Sequence, residues 1–131
     1  MDKSMVKILV IDDEQATCEL IEDFFRRKGY DVFSVSNPQA SFAVIEKEEP
    51  QIIILDLIMP NISGIELLKR IRENYDSNIK VIVVSVIRDD PVIDKVIAMG
   101  ADSYIEKPFT TDYLEAVVIS KIEQLLGHAV E

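Results

Sequence analysis

Acidic side chains close two of the short apolar runs in this sequence, and a hydroxyl and an ammonium close two more. The first run ends in Ile11-Asp12-Asp13-Glu14, the third in Leu55-Asp56, the fourth in Val84-Ser85, and the fifth leads into Glu106-Lys107-Pro108. If the carboxylates of Asp12, Asp13 and Asp56 approached within about 4 Å, each close pair would repel by ~4 kcal/mol at an effective dielectric of ~20. Such a cluster needs positive charge beside it. Lys107 supplies one unit, and a hard divalent ion such as Mg²⁺ suits a carboxylate pocket, keeping several waters and leaving a position for a phosphate oxygen. The parts suit phosphoryl transfer. Asp56 would be the nucleophile, the metal and Lys107 would neutralise charge on the transferred group's oxygens, and Ser85 would donate a hydrogen bond to one of them.

Each residue alone has a plainer reading, because a lone aspartate at a strand end is usually a helix cap or a solvated loop residue. The set is harder to explain that way. Independent capping needs would not ordinarily place acids after strands one and three and a lysine after strand five. Other chemistries lack their parts. His128, the only histidine, lies in the expected tail and Cys18 is the only cysteine, so a Ser-His-Asp triad, a zinc cage and an intrachain disulfide all lack parts they need. Cys18 reads more simply as core. The glycines Gly29, Gly64, Gly100 and Gly127 are scattered and form no phosphate-cradling loop, so ATP is not expected as a direct donor.

What must position these residues is a repeated strand-helix unit. The apolar runs Ile8 to Ile11, Val32 to Val35, Ile52 to Leu55, Val81 to Val84 and Ser103 to Ile105 are separated by segments long enough for one helix each. Helix punctuation falls between them. Asn37-Pro38 and Asp90-Pro91 read as N-cap plus first-turn proline, Ser63 with Glu66 as a capping box, and Gly29, Gly100 and Gly127 as stops. Helical spacing of Cys18, Ile21 and Phe25, of Leu68 and Ile71, and of Leu114, Val118, Ile122 and Leu125 gives each helix a face to bury. Continuous β-branched strands joined by helices predict a doubly wound α/β domain, a parallel sheet with helices on both faces. Ligands of such sheets bind beyond the carboxyl ends of the strands, where the chemistry-bearing residues stand.

At 131 residues, with 48% hydrophobic and 29% charged residues, the chain is expected to form one domain with a core over about 5–126 and short tails at 1–4 and 127–131. The formal charge of −10 would repel nucleic-acid phosphates and anionic membranes, so neither is an expected direct partner. The apolar runs are too short to span a bilayer, and Met1-Asp2-Lys3-Ser4 lacks a signal-peptide core, so a cytoplasmic location is expected.

Taken together, Asp12-Asp13, Asp56-Leu57-Ile58-Met59-Pro60, Ser63-Gly64, Ser85, Gly100-Ala101-Asp102 and Tyr104 with Lys107-Pro108-Phe109 resemble a response-regulator receiver domain of two-component signal transduction. The resemblance spans nearly the whole chain. It implies a flavodoxin-like (βα)5 fold with strand order 2-1-3-4-5, dependence on Mg²⁺ with Mn²⁺ as a substitute, and a phosphohistidine donor on a sensor histidine kinase or histidine phosphotransfer protein. By position, Asp56 resembles the phosphoacceptor, Asp13 the direct metal ligand, Asp12 a ligand through water and the Ile58 backbone carbonyl a further ligand. Lys107 and Ser85 resemble the phosphoryl-binding pair, and Tyr104 the switch aromatic that turns inward when Ser85 moves. A cis Lys107–Pro108 bond is implied as well. Output would go to a downstream protein or output domain through the face of helix 4, strand 5 and helix 5, from a monomer or a phosphorylation-dependent homodimer.

Departures from the family pattern carry expectations of their own. The family usually has a small residue after its counterpart of Ser85, whereas Val86 stands here, and its branched side chain could crowd the way to Asp56. Ile58 and Ile87 fill positions where polar side chains in the family help place hydrolytic water, so slow autodephosphorylation is expected. The last helix, roughly Thr111 to Leu126, has an apolar set wide enough for a partner surface, though a well-buried terminal helix explains it slightly better. Two other functions remain open: a Mg²⁺-dependent phosphohydrolase with an aspartyl nucleophile, and an interaction module that is never phosphorylated. The hydrolase is disfavoured because no second carboxylate stands two residues after Asp56 and no cap insertion is visible.

Overall fold

The computed structural model describes residues 6–59, 63–75 and 78–127; the tails expected at 1–4 and beyond Gly127, with Pro60 and His128, lie outside them. Strands β1 (Lys7–Ile11), β2 (Asp31–Val35), β3 (Ile52–Asp56), β4 (Lys80–Ser85) and β5 (Ser103–Glu106) alternate with helices α1 (Gln15–Arg27), α2 (Ser41–Glu48), α3 (Gly64–Asn74) and α4 (Asp90–Ala98). A final helix, α5, is α-helical over Thr111–Tyr113, π-helical over Leu114–Val118 and α-helical again over Ile119–Leu125. The strands form one parallel sheet in the order β2-β1-β3-β4-β5. Sequence and structure agree on every strand to within a residue at either end.

Side chains alternate across each strand, and both faces are covered, which is why the strands read as unbroken apolar runs. Ile8, Val10, Ile52, Ile54, Ile82 and Val84 pack under α1 and α5, against Cys18, Phe25, Leu114, Val118 and Ile122. Leu9, Ile11, Ile53, Leu55, Val81 and Val83 pack under the other three helices, against Ile45, Leu67, Ile71 and Val96. Cys18 is buried, and burial pushes its thiol up to about 11, ahead of the charges of Asp12 and Glu22. It is a core residue without a reactive thiolate.

Local signals hold with three differences. Ser63 caps α3 as expected, its side chain accepting the Ile65 amide, and Gly29, Gly100 and Gly127 stop helices at positive φ, but Asn37, which accepts the Gln39 amide, caps a 3₁₀ turn over Pro38–Ala40 that leads into α2 rather than α2 itself. The cap of α4, however, is Asp89 rather than Asp90. Asp89 is extended and accepts the Val92 amide, so Asp90 is the first helical residue and Pro91 the second, a site where the missing N–H costs nothing. In α5 the π-helical stretch adds a residue to one turn, which broadens the band that meets the sheet. Ile119, Leu125 and Leu126 pack there, partly buried, around fully buried Val118 and Ile122. The wide apolar set is therefore mostly core.

Candidate functional site

Register brings the site together. Ile11 pairs with Leu55 and Asp56 with Val84, so Asp12, Asp56 and Ser85 fall at or beside one level at the carboxyl end of the sheet. Ser85 pairs with Glu106, which puts Lys107 one residue beyond that level. Each strand-end residue turns the chain in the same way. Asp12 Oδ1 accepts the Glu14 amide at 2.9 Å, Asp56 Oδ1 the Ile58 amide at 3.2 Å and Ser85 Oγ the Ile87 amide at 3.1 Å. These i to i+2 bonds are Asx- and Ser-turns. The plain structural reading of these residues is therefore true of one oxygen each.

The second carboxylate oxygens do something else. Lys107 Nζ lies 2.9 Å from Asp12 Oδ2, 3.4 Å from Asp56 Oδ2 and 3.6 Å from Glu14 Oε1. The Lys107 side chain is 12% exposed, that of Asp12 3% and that of Asp56 6%, so the attraction acts with little solvent screening. Burial first, then the Asp12 charge, push Asp56 up to about 6, while the charge of Lys107 and the Ile58 amide pull it down. Burial alone would lower Lys107, but the hydrogen bond and charge of Asp12, with the charges of Asp56 and Glu14, raise it above the usual lysine range. The pocket contains more negative charge than its lysine balances.

Carboxylate oxygens of Asp12, Asp13 and Asp56 all lie within 4.8 Å of one another, with Asp13 half-buried beside two buried partners. An all-oxygen, carboxylate-rich group with surplus negative charge fits Mg²⁺ or Mn²⁺. The structure thus brings together Asp12, Asp13, Asp56 and Lys107, with Ser85 on the adjoining strand. Ile58 is 52% exposed and Val86 58% exposed, on the loops that follow Asp56 and Ser85. Tyr104 is half-buried on β5, and its hydroxyl donates to the Ile87 carbonyl at 2.7 Å. The Lys107–Pro108 bond is cis.

Two further contributions shape the site. Gly64 starts α3 so close to the acceptor strand that a Cβ there would lie 2.4 Å from Leu57 Cα and 2.5 Å from the Asp56 carbonyl oxygen. Only glycine allows that approach. Arg88, which belongs to no motif, donates to the Lys107 carbonyl at 3.2 Å and pairs with Glu106 at 2.9 Å. Gly64 is visible in the sequence only as part of the Ser63-Gly64 fragment, and Arg88 leaves no local signature.

The profile of the response regulator receiver domain family matches residues 8–119. Among solved structures, the chain is similar to a response-regulator signal receiver domain from Bermanella marisrubri, at 32% identity over 97% of this chain and 100% of that one, with a TM-score of 0.80. It is also similar to the signal receiver domain of a putative LuxO repressor protein from Vibrio parahaemolyticus, at 28% identity, 92% coverage of each chain and a TM-score of 0.81. A third, a CheY-like receiver domain protein from Methanospirillum hungatei, shares 25% identity over 93% of this chain and 97% of that one, with a TM-score of 0.83.

Proposed function

The chain belongs to the response regulator receiver domain family, a family of phosphoacceptor signalling domains rather than turnover enzymes, and on that footing we propose that Asp56 is its phosphoacceptor. The observation that carries this is the Lys107 ammonium held between Asp12 Oδ2 and Asp56 Oδ2 at the carboxyl end of the sheet. In the transfer, an Asp56 oxygen bonds to phosphorus as the phosphorus–nitrogen bond of the donor's phosphohistidine breaks and the imidazole leaves. Lys107 is placed to neutralise a phosphoryl oxygen, and Ser85 keeps its own proton to donate to another, since its oxygen only accepts from Ile87. Asp12, Asp13, Asp56 and the Ile58 carbonyl would hold Mg²⁺, which when bound offsets negative charge on the group in transit.

A bound phosphoryl group brings charge and strong acceptor oxygens that favour a different arrangement of the Ser85 loop. Tyr104 links that loop to the outer face through Ile87. Beside it, a groove of about 550 Å³ is lined by Ile93, Tyr104, Pro108, Phe109 and Tyr113, among others, between α4, β5 and α5. This supports the face as the surface that a downstream protein or output domain reads. The donor would be a sensor histidine kinase or a histidine phosphotransfer protein. No helix among the described residues is long and apolar enough to cross a membrane.

The test is intact mass after incubation with acetyl phosphate. One added phosphoryl group that requires Mg²⁺ supports the reading, and an adduct that forms equally in chelator counts against it. Steady turnover of a phosphoester would instead favour the hydrolase. In the same assay Val86→Ala should label faster than wild type if the valine crowds the donor's path, and an unchanged rate removes that idea. Following the label after donor removal tests the apolar pair Ile58 and Ile87. A half-life no longer than that of Ile58→Asn would show that they do not protect it.

A further inference from the structure

The loop after β4 is fastened to β5 and the turn that follows it at several points. Lys107 donates its amide to the Ser85 carbonyl at 2.8 Å, extending the ladder between the strands, and the Tyr104 hydroxyl reaches the Ile87 carbonyl at 2.7 Å. Arg88 spans the same gap in the other direction. One arm of its guanidinium donates to the Lys107 carbonyl at 3.2 Å and the other pairs with Glu106 at 2.9 Å. The fork thus binds the backbone of the residue that supplies the ammonium, and it does so from three residues beyond the residue that supplies the hydroxyl. A planar fork that meets two acceptors at once is a geometry lysine cannot copy.

We propose that Arg88 is a positioning residue that fixes the Ser85 hydroxyl and the Lys107 ammonium relative to each other for the phosphoryl group. This deepens the proposed function and rests on it. Arg88 is 61% exposed and Glu106 44% exposed in the side chain, so the ion pair contributes little to overall stability. Its consequence is local: without the fork, the loop samples other arrangements, and the pocket must be ordered when the phosphoryl group arrives. A group that is correctly placed only part of the time binds more weakly by that fraction.

The test compares wild type, Arg88→Ala and Arg88→Lys for binding of beryllofluoride, an aspartyl-phosphate mimic, with Mg²⁺ binding measured separately and Ile87 amide exchange followed in the metal-free protein. Arg88→Ala should weaken the mimic by about two- to five-fold and speed Ile87 exchange by a similar factor, with Mg²⁺ affinity unchanged and Arg88→Lys only partly restoring binding. In a Ser85→Ala background the Arg88 effect should largely vanish, because there is no hydroxyl left to position. Equal mimic affinity in wild type and Arg88→Ala, or effects of the two substitutions that simply multiply, would overturn the proposal while leaving the acceptor assignment intact. Failure of wild type itself to bind the mimic with Mg²⁺ present would overturn both.

Discussion

In chelator, Asp56→Asn should gain stability over wild type as the pH rises, the difference growing by about 2–3 kcal/mol between about pH 4 and pH 7. Asp56 is 5% exposed, and burial, then the Asp12 charge, push its carboxyl up from 3.8 to about 6. The folded protein therefore keeps a proton at a pH where the unfolded chain has released it. Stability linked to this group is present below the unfolded pKa and is lost as pH rises through the folded one. A tenfold change in a group's acidity corresponds to about 1.4 kcal/mol, which sets the scale. Asparagine has no proton to lose, and titrating groups that do not interact with residue 56 cancel in the difference. Urea unfolding at several pH values checks this; parallel stability curves would mean that the Asp56 carboxylate is not strained in the folded state. The strain has a functional sense. A carboxylate destabilised by its surroundings gains from a cation or from conversion to an acyl phosphate.

Arg72→Met should destabilise the fold by about 2–4 kcal/mol while leaving Asp56 labelling unchanged. The Arg72 side chain is 16% exposed and sits at the amino ends of β4 and β5, away from the site. It donates at 2.8 Å to the Gly100 carbonyl, to the Ile79 carbonyl and to Asp102 Oδ2. The same carboxylate oxygen accepts the Val81 amide at 2.8 Å. One guanidinium thus joins the end of α3 to the entry of β4 and the turn into β5. Methionine preserves much of the stem's packing but leaves three acceptors without their charged donor. A loss of less than about 0.5 kcal/mol, typical of an indifferent surface site, would show that water replaces the clamp without cost. A loss of labelling would show that the two ends of the sheet are coupled.

The difference between these residues also explains what can be read from the sequence. Strands such as Ile52–Asp56 and Lys80–Ser85 are legible because both faces are buried, so the residues between their ends are apolar on either side. Asp12, Asp13, Asp56 and Lys107 are legible because they interrupt those runs at their ends. Arg72 and Arg88 are not, since their partners lie across the fold: Asp102 is 30 residues from Arg72, and Lys107 is 19 from Arg88. The i to i+2 turns at Asp12, Asp56 and Ser85 are hidden for a different reason. The sequence shows that an oxygen is available but not that each carboxylate divides its two oxygens between the backbone and the pocket. Glu49 ends α2 at φ 50, a role that sequence reasoning assigns to glycine or asparagine.

The most direct test of the central claim is to locate the label. Wild-type protein treated with acetyl phosphate and Mg²⁺ is reduced with borohydride, which converts an aspartyl phosphate to homoserine, and the peptides are then mapped by mass. The conversion should fall at position 56, and it should be absent without Mg²⁺. Conversion at Asp12 or Asp13, or a phosphoryl group that survives reduction on a serine or threonine, would contradict the assignment of Asp56 as the acceptor.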